Sequence, residues 1–120
     1  MRINIKEGVK FRVFNEFFTM FHMGLIRATH AFITFNHGTW LPTITSANDG
    51  VHGKNSLHFK DLAWDIRSND LPKHLKGEFL RGLQIQLGKD FQCLYEEEET
   101  DATGAITKGE HFHVEYDPKR

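Results

Sequence analysis

A stripe of large apolar side chains in the first third of the chain constrains the fold most. These residues recur at spacings of three, four and seven, and they are Phe14, Phe17, Phe18, Phe21, Leu25 and Phe32. Because such spacings place side chains on one face of a helix, we predict a helix over roughly Asn15 to His30. An aromatic stripe at helical spacing is usually core and not a ligand surface, so we expect this face to be buried.

The remaining pattern predicts a second helix and several short strands. Asp70 can cap this helix with Pro72 in its first turn, and Gly88 ends it. Its expected buried side consists of Leu75, Phe79, Leu83 and Leu87. The predicted strands are Leu41 to Thr45, Leu62 to Ile66, Phe91 to Glu97 and His111 to Tyr116, with a loop or long hairpin over Thr100 to Gly109.

This order of elements predicts an α+β fold. We expect two main helices packed on a small antiparallel sheet. A chain of 120 residues fits one domain, so residues 1–120 are predicted to form a single unit.

Composition excludes several classes of function. Lys and Arg total 15 against 16 Asp and Glu, so the chain lacks the basic surface of a nucleic-acid binder. No stretch approaches the roughly 18 apolar residues needed to span a bilayer, and the N-terminal segment lacks the apolar core of a signal peptide. We expect a monomer made in the cytoplasm, with neither nucleic acid nor membrane as its partner. Because Cys93 is the single cysteine, a metal would need nitrogen and oxygen ligands, and the eight histidines can supply the nitrogens.

Two segments carry residues that suit metal chemistry. His111 and His113 are two apart in a predicted strand and so share a face, with Glu110 just before them. His58 and Asp65 lie seven apart, so they can converge only if the chain turns between them. Two nitrogens and one carboxylate oxygen, with water in the fourth position, form an open catalytic zinc site. Taken singly, each residue also suits a surface or satisfied core position, and only the combination indicates a metal.

The combination resembles a known peptidase family. The stretch SLHFKDLAWDI at 56–66 and the later EHFH at 110–113 resemble the motifs S-x-H-x-x-G-x-A-x-D and H-x-H of the zinc D-Ala-D-Ala carboxypeptidase family. That family includes phage L-alanyl-D-glutamate endolysins and shares a fold, the hedgehog/DD-peptidase fold, with the signalling domain of hedgehog proteins. The preceding NDGVH at 48–52 is similar to a D-G-x-H loop found in phage members and in hedgehog.

The resemblance implies a catalytic zinc ion (Zn2+). It implies that His58, Asp65 and His113 bind the metal, and that Glu110, three residues before His113, is the general base. A carboxylate beside a metal-activated water can take its proton during attack and return it to the leaving amine.

The resemblance also implies the surroundings of the metal and the substrate. His111 would line the site and contact the substrate, His52 would lie at the rim, and Ser56 would brace the ligand loop. The implied substrate is a peptidoglycan stem peptide, cut as by a D-Ala-D-Ala carboxypeptidase or an L-Ala-D-Glu endopeptidase. The protein would reach the cell wall through a phage lysis route or as part of a virion.

Two other interpretations of the histidines differ in class from the peptidase. One is a noncatalytic binding or structural module that keeps zinc, as in hedgehog domains; the other is a chain whose histidines bind no metal. Glu110 favours the enzyme, because a noncatalytic module needs no proton acceptor beside its metal.

Overall fold

The described part of the chain folds into two helices and two sheets. A computed structural model describes residues 3–9, 16–36, 38–47 and 62–118. Its elements in chain order are β1 (Asn4–Ile5), α1 (Glu16–Asn36), β2 (Thr43–Ser46), β3 (Ala63–Arg67), α2 (Lys73–Leu87), β4 (Phe91–Glu96), β5 (Glu99–Thr100), β6 (Ile106–Lys108) and β7 (His111–Tyr116). The predicted α+β class is confirmed.

The main sheet is mixed, whereas a small antiparallel sheet was predicted. Its strand order is β1-β2-β3-β7-β4. The last four strands pair antiparallel, as predicted, but β1 pairs parallel with β2. Two residues are too few for strand alternation to show in a sequence, so β1 was not predicted. A separate two-stranded antiparallel ribbon, β5 with β6, occupies most of the segment expected to be a loop or hairpin.

The first helix ends at Asn36, beyond the predicted end at His30. The buried Phe32 continues the apolar face past the predicted boundary. Asn36 Nδ2 donates hydrogen bonds to the Phe32 carbonyl at 2.9 Å and to Glu78 Oε2 of α2 at 3.0 Å. The last turn of α1 is therefore fixed by a contact between helices that the sequence does not display.

The second helix begins without the predicted Asp70 cap. Pro72 is the N-cap residue, and no side chain caps the helix. Asp70 lies in a preceding turn, closed by the Leu71 N–H donating to the Ser68 carbonyl at 3.1 Å. Proline itself presets the backbone for the start of a helix. The end is as predicted, since Gly88 follows the last helical residue with φ of 86°, a value that favours glycine.

The two faces of the main sheet have different surroundings. On one face Trp64 stacks on Phe21 of α1, with ring centroids 4.5 Å apart, and Phe112 contacts Phe79 of α2 at 5.6 Å. All four side chains are buried. Since successive strand residues point to opposite faces, their neighbours in β3 and β7, Asp65 among them, lie on the face away from this helical core.

Neither α1 nor α2 is long and apolar enough to cross a bilayer.

Candidate metal site

The pairing of β3 with β7 brings polar side chains to one face of the sheet. Asp65 lies opposite His113, and Arg67 lies opposite His111. Residues two apart on a strand share a face, so the carboxylate and both imidazoles converge. The spacing of the two histidines predicted their common face, and the strand register brings Asp65, which the resemblance implied as a ligand, to the same face.

Asp65, His111 and His113 form a compact group that can hold a metal ion. Each offers one ligand atom, and these atoms all lie within 4.8 Å of one another. Asp65 Oδ1 is 2.9 Å from His113 Nδ1 and 3.6 Å from His111 Nε2. Asp65 is 6% exposed and His111 is 5% exposed. Burial of this extent strengthens the interaction of such ligands with a cation.

The ring of His111 is oriented as a metal ligand would be. Its Nδ1 lies 3.0 Å from the Gly109 carbonyl oxygen. A carbonyl only accepts hydrogen bonds, so Nδ1 donates to it, and in the tautomer that carries this single proton Nε2 has a lone pair. That Nε2 is buried and has no hydrogen-bond partner among the described residues. A buried nitrogen lone pair beside a carboxylate suits a cation placed between them.

His113 is held between two carboxylates. Its Nδ1 contacts Asp65, and its Nε2 lies 3.2 Å from Glu115 Oε2. Burial alone would lower the pKa of His113, but the hydrogen bond and charge of Asp65, with contributions from Glu115 and Glu96, raise it above the usual value. Metal-bound histidines commonly donate their other ring N–H to a carboxylate or a carbonyl. Glu115 can accept that N–H from His113, as the Gly109 carbonyl does from His111.

Glu96 of β4 is a fourth side chain at this group, and it was not predicted as a site residue. Glu96 lies opposite His111 in the sheet. Its Oε1 is 3.6 Å from His111 Nε2 and 3.6 Å from His113 Nδ1. Ligand atoms around a tetrahedral zinc ion are separated by about 3.3 to 3.6 Å, given bonds of about 2.0 to 2.2 Å. The two separations of Glu96 match that range, whereas the 2.9 Å between Asp65 Oδ1 and His113 Nδ1 is a hydrogen-bond distance.

Glu110 is fixed by three hydrogen-bond donors at the edge of the site. Its Oε1 accepts from Lys76 and from Ser68 Oγ at 3.0 Å, and its Oε2 accepts from Tyr95 at 2.8 Å. The hydrogen bond from Lys76 lowers the pKa of Glu110 despite the opposing effect of burial, and Tyr95 and Ser68 lower it further. The Glu110 carboxylate in turn raises the pKa of Tyr95 to about 12. Glu110 is therefore ionised at neutral pH, as a proton acceptor must be.

A cavity of about 330 Å³ adjoins the metal group. Asp65, His111 and Glu110 all contribute to its wall. This shared wall places the predicted base beside two members of the group, although its carboxylate is not one of the clustered ligand atoms. The cavity offers space for a substrate next to the residues that would hold the metal.

The predicted site residues fall into two sets. Asp65 and His113, expected as ligands, lie together, and His111, expected to line the site, supplies the third clustered atom. His58, the third expected ligand, and His52 and Ser56, expected at the rim and behind the ligand loop, lie outside the described residues.

We compared the chain with protein-family models, curated proteins and solved structures. None of the three comparisons gave a match. The function is therefore inferred from the chemistry of the site.

Proposed function

We propose that the protein is a zinc metallopeptidase that hydrolyses amide bonds in peptidoglycan stem peptides. The observation that carries the proposal is the group Asp65, His111 and His113, with a buried His111 Nε2 that lacks a hydrogen-bond partner among the described residues. Two imidazoles and one carboxylate are a donor set that zinc takes in open catalytic sites. The resemblance of residues 56–66 and 110–113 to the zinc D-Ala-D-Ala carboxypeptidase and endolysin family supports the choice of substrate.

The clustered residues of β3 and β7 would hold the metal, and the metal would supply the chemistry. A bound zinc ion supplies an electrophile for the substrate carbonyl and lowers the pKa of its water to about 7. Asp65, His111 and His113 hold the metal from β3 and β7, and ligands on strands are positioned more accurately than ligands on loops. In the ligand set that the resemblance implies, His58 takes the place of His111, so that three protein ligands again leave a fourth position for water.

Two carboxylates compete for the role of proton acceptor. Glu110 lines the cavity beside Asp65 and His111 and has the family-like spacing, but both its oxygens already accept hydrogen bonds. Glu96 has an oxygen near both coordinating nitrogens but is not among the residues that line this cavity. We assign the role to Glu110, because a proton acceptor must reach the bound substrate as well as the water.

Digestion of isolated peptidoglycan by the zinc-loaded protein tests the proposed function. We expect either new amino termini at D-Glu or release of free D-Ala, identified by mass spectrometry of the products. The first result would define an endopeptidase and the second a carboxypeptidase. Cleavage of unrelated L-peptides with no cleavage of wall peptides would reject the substrate assignment.

The variants Glu110→Gln and Glu96→Gln test the base. Glutamine keeps the size of the side chain but cannot accept the proton, so Glu110→Gln should lower kcat by about 10² to 10⁴ with zinc content unchanged. Glu96→Gln is the matched control and should lower kcat by less than about tenfold. The opposite ranking would transfer the role to Glu96.

A noncatalytic zinc module is the second candidate function, and the position of Glu96 favours it. Four protein ligands close a zinc site and leave no place for water, and Glu96 adds a fourth ligand atom at suitable separations. In that case Glu96→Gln would weaken zinc binding, and the wild-type protein would hold zinc without cleaving any wall peptide. In the peptidase, by contrast, Glu96→Gln leaves the zinc affinity close to that of the wild type.

A further inference from the structure

Three cationic side chains from separate elements meet at the cavity beside the metal group. Lys6 follows β1, Arg67 ends β3 and Lys108 ends β6, and all three line the cavity of about 330 Å³. Arg67 is paired with His111 across the β3–β7 ladder. The cations therefore lie next to the place where the proposed chemistry occurs.

The cavity has a surplus of positive charge. Its two carboxylates already have partners, since Glu110 pairs with Lys76 and Asp65 lies 2.9 Å from His113. Among the described residues, the three cations that line the cavity take part in no ion pair. A concave surface with unpaired charges of one sign concentrates ligands of the opposite sign.

We propose that Lys6, Arg67 and Lys108 form a subsite that binds a carboxylate of the substrate beside the bond to be cut. The inference rests on the proposed peptidase function for the identity of its ligand. The arginine guanidinium matches the two oxygens of a carboxylate through paired hydrogen bonds. The two lysines come from opposite ends of the chain and add positive charge. An ammonium group can bind an anion without the fixed orientation that a guanidinium requires.

This subsite suits both bonds considered for the stem peptide. In D-Ala-D-Ala and in L-Ala-D-Glu, the residue that supplies the leaving amine carries a carboxylate of its own. An anion held by Arg67 would place that residue in the cavity and direct the preceding carbonyl towards the metal group. The subsite therefore selects peptides with a free carboxylate on the leaving side and discriminates against the corresponding amides.

Equilibrium binding of two non-hydrolysable peptides tests the subsite. Both are stem-peptide analogues with a methylene-amine link in place of the scissile amide, and they differ only in carrying a carboxylate or a carboxamide on the leaving side. Calorimetry with the zinc-loaded wild-type protein should show about tenfold to 100-fold tighter binding of the carboxylate form. Arg67→Gln should reduce this preference by about tenfold or more, with the carboxamide form little affected.

Two further variants protect the test against a folding defect. The double variant Lys6→Gln/Lys108→Gln alters exposed side chains only and should also reduce the preference. Arg81→Gln, at an exposed position of α2 that does not line this cavity, should leave the preference unchanged.

Failure of the subsite and failure of the peptidase give different results. Equal binding of the two analogues by the wild-type protein, or binding of neither, would overturn the subsite. A preference that survives in both Arg67→Gln and the double variant would also overturn it. If the peptidase proposal fails instead, ordinary wall peptides incubated with the same zinc-loaded protein remain uncleaved.

Discussion

At the residue scale, the orientation of each imidazole ring determines whether it can serve as a metal ligand. The Gly109 carbonyl fixes His111 so that Nε2 faces Asp65, and Glu115 fixes His113 so that Nδ1 faces the same carboxylate. The two histidines thus present different ring nitrogens from one strand face. Such partners typically alter metal affinity by 10- to 100-fold when removed.

Replacing His113 tests the ligand group directly. We expect the wild-type protein to bind about one zinc ion per chain, and His113→Ala to weaken binding by about 100-fold or more, because the ligand is lost together with its hydrogen bond to Glu115. Zinc titration with a competing chelator measures the change. His74→Ala, which removes an exposed histidine of α2, should bind zinc like the wild type. A similar affinity in all three proteins would show that the group is not the zinc site.

The residues of the site differ in how far the sequence could predict them. The spacing of His111 and His113 placed them on one face, and the resemblance of residues 56–66 to the peptidase motif implied Asp65 as a ligand. Glu96 was not selected because it begins a run of four glutamates, which reads as a solvated strand end. Only the pairing of β4 with β7, which places Glu96 opposite His111, distinguishes it from the other three glutamates of the run.

At the element scale, the two helices approach closely where a glycine of α1 faces the end of α2. A Cβ atom built on Gly24 would collide with the Leu87 side chain and lie 3.1 Å from its Cγ. Helical periodicity cannot predict such a close approach. It places Gly24 on the buried face with its apolar neighbours but does not show how near the other helix comes. The same reason explains the wrong end predicted for α1, which is set by the contact of Asn36 with α2.

Alanine substitutions at two glycines test this helix contact. Gly24→Ala should lower the free energy of unfolding by about 1 kcal/mol, because overpacking outweighs the gain in helix propensity. Gly82→Ala in α2 meets nothing within 4 Å and should raise it by about 0.5 to 1 kcal/mol. Urea denaturation of the two variants gives the comparison. If both changes stabilise the protein equally, the helices are not in close contact at Gly24.

The ribbon of β5 and β6 is closed by a turn that depends on the charge of Asp101. Asp101 Oδ1 accepts hydrogen bonds from the Thr103 amide and hydroxyl, at 2.8 and 2.6 Å, and from the Ala105 amide at 3.1 Å. The hydrogen bond from the Thr103 hydroxyl, followed by those from backbone amides, lowers the pKa of Asp101. The ionised carboxylate therefore contributes to the stability of the turn, beside the backbone hydrogen bonds from the Asp101 amide to the Ala105 carbonyl and from the Gly104 amide to the Asp101 carbonyl.

The turn should loosen only at acid pH. A carboxyl whose pKa is lowered by folding contributes stability that is complete above its unfolded pKa and lost as the pH falls through the folded value. We expect the Thr103 and Ala105 amide signals in NMR spectra to keep their positions at neutral pH and to shift below the usual range of aspartate. Asp101→Asn should remove most of this pH dependence. An unchanged titration of these amides in Asp101→Asn would assign it to another group.

At the scale of the whole molecule, the main sheet separates packing from chemistry. The helices cover one face of β3 and β7 with Trp64, Phe112 and their partners, and the candidate ligands lie on the other face. The apolar core therefore does not depend on the ligands, and the described fold should form without metal. A metal would nevertheless join two central strands through side chains far apart in sequence, which predicts added stability and not a requirement for folding.

Zinc addition and removal test this division. Binding to the native state alone adds about 2.7 kcal/mol at a free zinc concentration 100 times the dissociation constant, which corresponds to a rise in Tm of about 10 °C for a domain of this size. The protein treated with a chelator should still melt cooperatively, but at the lower temperature.

Magnesium should not replace zinc, because it prefers oxygen ligands in octahedral geometry. His113→Ala should melt close to the metal-free wild type with or without zinc, whereas Glu110→Gln should keep the full zinc-dependent rise. Loss of the folded state on chelation would contradict the separation, and a Tm indifferent to zinc would contradict the metal site.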